Sequence, residues 1–320
     1  MFMNRFKLLF TLLIAVGVLS SCVFVSEDRI VTDIPVEGGI SLNELISSYD
    51  LWYVDYHRTE GNGDVPFVSK TFTLSFFNGR MYANNNIVDV GMTGDGFGLQ
   101  VGRYGVFNTV LETQHSLDGN YDFEVIQLSS NEIRIDYLSQ NVSYYLVGYQ
   151  RDRFDYDKLF YDNIEYFLQE YVAWERIDSE GGVPNAFDRE HYLQFTPQDD
   201  VTFYSSQDPF GINIDRIAWD FVGLYEVANV RDTDNLKILT LNYEEGDTEV
   251  FELRVINSET VALYHINSET TYTFAGRGFI RYLRNNGNRT SKTSSNTISK
   301  SNGRKRSKIE RKTIERRNLQ

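Results

Sequence analysis

A chain of 320 residues with 41% hydrophobic content is long enough for two domains of ordinary size, each with its own core. Aromatic residues make up 14%, with 21 Tyr and 22 Phe against 5 Pro, and such residues fit half-buried pleated surfaces, so the composition leans toward sheet. The formal charge of −14 is unevenly spread: Arg284 to Gln320 holds twelve Lys and Arg against two Glu, which leaves a body more acidic than the total and argues against nucleic acid as its partner.

At the start, Arg5 and Lys7 precede Leu8 to Leu19, an apolar and small-residue run too short to span a membrane and laid out as a secretory signal. It ends in Leu19-Ser20-Ser21-Cys22, which resembles the lipobox of bacterial lipoproteins. The resemblance implies a signal peptide over 1–21 and lipidation of Cys22 as the first mature residue. Cys22 is the only cysteine, so no intramolecular disulfide forms. Acyl chains contribute about 0.8 kcal/mol per buried methylene, enough for several to hold a chain at a membrane without a spanning helix. Residues 22–39 read as a tether, and the acidic pair in Ser26-Glu27-Asp28 resembles the export signal of surface-exposed Bacteroidetes lipoproteins. The expected location is the outer membrane, lipid-anchored, with the cell surface and the periplasm as the two alternatives for the face.

Ser41 and Glu44 stand at capping-box spacing and open a short helix that leads through Tyr49 to Trp52. Phe72 to Phe76 alternates and turns at Asn78-Gly79 into Met81-Tyr82, a hairpin signal. An aromatic segment from Gly102 to Val110 follows. Asn163 to Leu168 then repeats the helix, with Tyr171 and Trp174 each 122 residues after Tyr49 and Trp52. Strand patterns return at Tyr192 to Phe195, Val201 to Tyr204 and Ile217 to Val227, and Ile238 to Tyr243 adds a strand with no obvious counterpart in the first half.

The closing segments match best. Phe123 to Tyr149 and Phe251 to Arg277 align without a gap at a spacing of 128, with Phe123/Phe251, Glu124/Glu252, Ser130/Ser258, Tyr144/Tyr272 and Gly148/Gly276 identical. Apolar exchanges such as Ile133/Val261 and Ile135/Leu263 are what a shared core position tolerates. The change in spacing from 122 to 128 places a net six-residue insertion between Trp174 and Phe251, expected near Arg231 to Asn235 or Glu244 to Thr248.

Helix, tryptophan, short strands and closing hairpin, in that order twice, resemble the lipocalin-like domains of bacterial secreted proteins. The fold class expected is mainly β: two tandem antiparallel barrel-like domains, each preceded by a short helix, over 40–151 and 152–283. The lipocalin Gly-x-Trp motif is absent, since Leu51 and Ala173 directly precede the tryptophans. Closure would remove exposed sheet edges, and an open sheet or sandwich is the alternative. The whole chain also resembles uncharacterised flavobacterial lipoproteins with two such halves. Some of these carry a nicotinate-mononucleotide adenylyltransferase name, which the residues do not support: no His-x-Gly-His phosphate site and no βαβ alternation is present. Residues 284–320, rich in Ser, Thr, Asn, Lys and Arg, cannot form a core and read as a disordered basic tail.

Candidate chemistry is sparse. Gly91 to Gly102 lacks the Lys-Ser/Thr of a phosphate loop and reads as a glycine-rich turn or strand. Asp152, Asp155, Asp157 and Asp162 have no glycine for a calcium loop and read as a solvated acidic linker. His57, His115, His191 and His265 show no metal spacing, so neither metal nor cofactor is expected. Trp52 and Trp174 read as core, while Trp219 and exposed tyrosines are candidates for a sugar platform. The leading functional expectation is a lipid-anchored envelope binding or assembly module without catalysis, taking a small apolar or glycan ligand or an envelope protein. A hydrolase with a carboxylate pair in a cleft between the halves and a purely structural lipoprotein are the alternatives.

Overall fold

The computed structural model describes residues 40–196, 202–280 and 309–316. Ser41 caps α1 (Leu42–Ser47) through the expected box, its Oγ accepting from Glu44 N while Glu44 Oε2 accepts from Ser41 N. There follow β1 (Leu51–Gly61), α2 (Pro66–Ser69), β2 (Thr73–Phe77), β3 (Arg80–Asn84), β4 (Leu99–Phe107), β5 (Val110–His115), β6 (Gly119–Ser129), β7 (Glu132–Tyr137) and β8 (Val142–Tyr149). These eight antiparallel strands pair in sequence and close, β8 returning to β1 with Trp52 opposite Gly148. Asn78 and Gly79 turn β2 into β3 with φ of 48° and 71°, the left-handed pair that a two-residue hairpin of this hand requires.

The second half repeats the plan. After α3 (Tyr156–Asp162) and α4 (Ile164–Leu168) come β9 (Tyr171–Gly181), β10 (Tyr192–Phe195), β11 (Thr202–Ser206), β12 (Phe221–Val230), β13 (Thr233–Tyr243), β14 (Thr248–Asn257), β15 (Thr260–His265) and β16 (Thr270–Phe279). These also close, through β16 to β9 and β11 to β12. The mainly β class, the two antiparallel barrels and the short helix before each are thus as the sequence implies, and of the alternatives left open the structure takes closure.

The identical residues of the repeat build one motif in each barrel. Trp52 and Trp174 are fully buried and donate Nε1–H to the carbonyls of Ile46 and Leu168, which tie each helix to its barrel floor. Tyr49 and Tyr171 stand edge-on to those indoles at 5.1 and 4.8 Å, and their hydroxyls donate to the carbonyls of Ser130 and Ser258. A Cβ at Gly148 or Gly276 would lie 2.5 Å from the corresponding tyrosine ring, so glycine is the residue that admits the ring there. Tryptophan, tyrosine, serine and glycine recur because each is one part of the same floor.

The inserted residues lie in the hairpin of β12 and β13. Those strands hold 10 and 11 residues, whereas their first-half counterparts β4 and β5 hold 9 and 6. The added length carries Ala228, Val230, Leu236 and Ile238, a small apolar patch separate from the barrel core.

Three expectations need correction. The first half does have the strand β5; it went unseen because its inward positions beyond Leu111 are the polar Thr113 and His115. The acidic segment is no bare linker, for Asp155 caps α3 through Lys158 N, and the helix turns Leu159, Phe160 and Tyr161 inward while Asp152 and Asp157 stay exposed. Finally, residues 309–316 of the basic segment lie against the second barrel. There β17 (Thr313–Ile314) pairs in parallel with Asn229 and Val230, and Arg311 forms a buried ion pair with Glu165.

The barrels share one apolar cluster. Leu51, Tyr53, Phe72, Ile87, Val88 and Val90 of the first half pack with α3, α4 and the second core. The Glu170 carboxylate, fully buried, accepts from Ile87 N and Val88 N at 2.9 and 3.1 Å. A carboxylate holding two backbone donors satisfies their burial and fixes the register of the halves.

Candidate functional site

Each barrel has its tryptophan floor at the helix end. At the opposite end, the mouth, the chain leaving the first strand folds back as a plug. In the first barrel the plug is α2: Phe67 stacks on His115 at 4.9 Å and meets Tyr121 and Phe123. In the second it is the short 3-10 turn Ala186–Arg189, where Phe187 meets Phe251 at 4.7 Å and Tyr272 at 5.0 Å.

Matching positions then differ in kind. Val54 and Arg176 both stand two residues beyond the tryptophan. Val65 and Asn185 cap the plugs, with Val68 and Asp188 one position after Phe67 and Phe187. Tyr121 faces Thr113 as Glu249 faces Leu241, and Val142 faces Gly61 as Thr270 faces Gly181. The first mouth is lined by valines and rings. In the second, the same places carry a guanidinium, an amide, two carboxylates and a hydroxyl.

Buried charge of this kind costs stability unless it is paired and hydrogen-bonded. Arg176 is 8% exposed; its Nη2 donates to the Asp188 carbonyl at 2.7 Å, and its guanidinium lies 5.5 Å from the ring centres of Phe210 and Tyr272. Its Nη1 has no acceptor among the described residues. Burial lowers the Arg176 pKa against the opposing charges nearby. The Asp188 carboxyl, which burial alone would raise, is held below its usual range because Tyr272 Oη–H and Asn185 N–H donate to it, with Arg176 close by. Glu190, 6% exposed, accepts from Tyr243 Oη at 2.7 Å; burial first, and the Glu249 carboxylate second, push its pKa up.

His265 completes the ring of polar groups. Its Nε2 lies 2.6 Å from Glu249 Oε2 and its Nδ1 2.7 Å from Ser268 Oγ. Serine, histidine and carboxylate are therefore in line. Ser268 is nonetheless 3% exposed, its Oγ donates to Thr270 Oγ1, and it accepts from Asn185 Nδ2. A hydroxyl so occupied in a tight turn orders the mouth and offers no approach to a substrate carbonyl.

The residues singled out in the sequence fall elsewhere. Trp52 and Trp174 are core; Trp219 is half-buried, its ring 6.2 Å from Tyr204. The histidines are not brought together: His57 Nε2 faces the Asp162 carbonyl, His191 Nδ1 faces the Asp208 carbonyl, and His115 and His265 sit in different mouths. The glycine-rich segment is a turn after β3, with Gly91, Gly94, Gly96 and Gly98 at positive φ, that runs into β4 at Leu99. Where the halves meet, the buried carboxylate is Glu170, already holding two backbone donors. Cys22 lies outside the described residues. Among the described residues no helix is long and apolar enough to cross a membrane. The second mouth escaped the sequence reading because its residues span 176 to 270, although aligning inward positions of the two halves exposes Val54 against Arg176.

No protein-family model matches the chain, and no curated protein sequence shows significant similarity to it.

Proposed function

We propose that this chain is a non-catalytic binding module of the cell envelope, held at the outer membrane by acylation of Cys22, with its ligand-selecting end at the second mouth. The observation that carries this reading is the buried Arg176, with an unpaired Nη1, set among Asp188, Glu190, Glu249 and His265, where the other barrel has Val54 and Val68 in the places of Arg176 and Asp188. A scaffold has no use for such a substitution, since a buried ion array is at best neutral for stability. Mixed donors and acceptors beside the Phe210 and Tyr272 rings suit a hydroxyl-bearing, glycan-type ligand better than a wholly apolar one. The test is calorimetric titration of the full chain with glycans and with small apolar ligands, alongside Arg176→Val. Binding that the substitution abolishes supports the reading; turnover of a ligand, lost on a point substitution, contradicts it. The lipid anchor is tested by metabolic acyl labelling, expected on the wild-type chain and absent from Cys22→Ala.

One observation favours a second reading, an envelope hydrolase. Glu190 has a burial-raised pKa beside Glu249, as a general acid and its partner require, and this pair lies in the second mouth rather than between the halves. Glu190→Gln would then abolish turnover while leaving binding intact.

A further inference from the structure

The outer face of the second barrel carries a feature that the mouth does not explain. Strand β12 pairs with β11 only through Leu224, so beyond that residue its edge on this side is left to another partner. An unpaired edge of this kind is a template for an added strand. The chain's own residues 311–316 fill it. Asn229 N and Arg231 N donate to the carbonyls of Lys312 and Ile314 at 2.8 and 3.0 Å, and Ile314 packs on the patch of Ala228, Val230, Leu236 and Ile238.

The side chains add a specific code. Arg311 Nε donates to Glu165 Oε1 at 2.6 Å, and its Nη1 and Nη2 reach the carbonyls of Tyr161 and Asp162 at the end of α3. Both members of this pair are nearly buried, at 7% and 5% side-chain exposure. A planar guanidinium satisfying a carboxylate and two helix-terminal carbonyls at once is a demand that lysine cannot meet. Five residues on, Arg316 grips Glu252 through two bonds, at 2.6 and 3.0 Å. The exposed pairs Lys312 with Glu226 and Arg231 with Glu315 set direction more than strength. The first barrel has no such site: its shorter β4–β5 hairpin lacks the patch, and Asn43 stands where α4 has Glu165.

We infer that the edge of β12, with Glu165, Glu252 and the apolar patch, is a strand-acceptor site for a basic extended segment of the pattern Arg-Lys-x-Ile-x-Arg, and that a second copy of this chain supplies that segment in trans. A surface that recognises the segment within one chain recognises the same residues on another, and the second copy is the partner whose chemistry is already matched atom for atom. The mode is β-strand addition, in which main-chain bonds give affinity and the anchored arginines give selectivity. Because donor and acceptor surfaces differ, each copy offers one of each, and the contact closes as a reciprocal pair or continues as a chain of copies.

Complementing variants of the full chain in non-ionic detergent test this. Arg311→Ala with Ile314→Asp disables the segment and leaves the acceptor; Glu165→Gln with Glu252→Gln disables the acceptor and leaves the segment. Thermal unfolding establishes that both fold. Each alone is expected to sediment as a monomer, and their mixture as a one-to-one pair that dissociates as salt is raised. In parallel, a fluorescent peptide of residues 309–320 is expected to bind the segment-disabled chain at least tenfold more tightly than a scrambled peptide of the same composition. A mixture that stays monomeric while the peptide binds overturns the second copy as partner. Equal binding of native and scrambled peptides, or none, overturns the site itself.

Discussion

The two barrels share a floor and differ at the mouth. Trp52 and Trp174 make the same bond to the same helix position, and Gly148 and Gly276 admit the same tyrosine ring. The second mouth has Arg176 and Asp188 where the first has Val54 and Val68, and the longer β12–β13 hairpin carries a platform for residues 311–316. A duplicated scaffold keeps what closes it. The halves differ where a strand or hairpin can vary without opening the barrel, and both the polar mouth and the platform belong to the second half.

If the floors are equivalent, Trp52→Ala and Trp174→Ala should each destabilise by about 3–5 kcal/mol, through lost burial and the cavity left behind. Because a single apolar cluster crosses both halves, urea unfolding should show one transition for either variant. Two separate transitions would break the comparison into independent domains. Next in size, Gly148→Ala and Gly276→Ala should each cost about 1–3 kcal/mol, since the added methyl meets ring carbons at 2.5 Å and the ring is held by its hydroxyl.

The second mouth carries a group whose ionisation opposes folding. Burial raises the folded-state pKa of Glu190 above its ordinary value of 4.5, so the folded form favours the protonated carboxyl. Its cost is absent below the unfolded pKa, grows as pH rises, and is complete above the folded value. Glu190→Gln, which keeps an acceptor for Tyr243, should match the wild type at pH below the ordinary carboxylate range and exceed its stability around neutrality, as read by thermal unfolding across pH. The smallest effect is spectroscopic. Burial, and then the Arg311 charge, hold the His57 pKa below 6.5, and Arg311 also helps to depress Lys237. Arg311→Ala should move the His57 proton titration upward in NMR spectra.

What the sequence made legible was local or periodic. The capping box of Ser41 and Glu44, the Asn78-Gly79 turn and the paired tryptophans each declare themselves within a few residues. Closure did not, because it rests on β8 meeting β1 across the whole half, and pairing at that range leaves no local mark. Helix α3 was hidden by its aspartates, which lie on the exposed face while Leu159 and Phe160 supply the packing. Residues 311–316 have no core of their own, and their order comes from Glu165, Glu252 and the edge of β12. The mouth was unreadable for a related reason: Arg176, Asp188, Glu249 and His265 become neighbours only when the barrel closes.

The central claim, that the second mouth selects the ligand, is tested most directly by equilibrium titration of the full chain with the glycan panel. Wild type, Arg176→Val and Val54→Ala would be compared, the first substitution giving the second mouth the residue of the first. The account predicts a bound ligand whose affinity falls about tenfold or more in Arg176→Val, as loss of a charged hydrogen-bonding group implies, and is unchanged in Val54→Ala. Undiminished binding by Arg176→Val, with both variants folded, would contradict it.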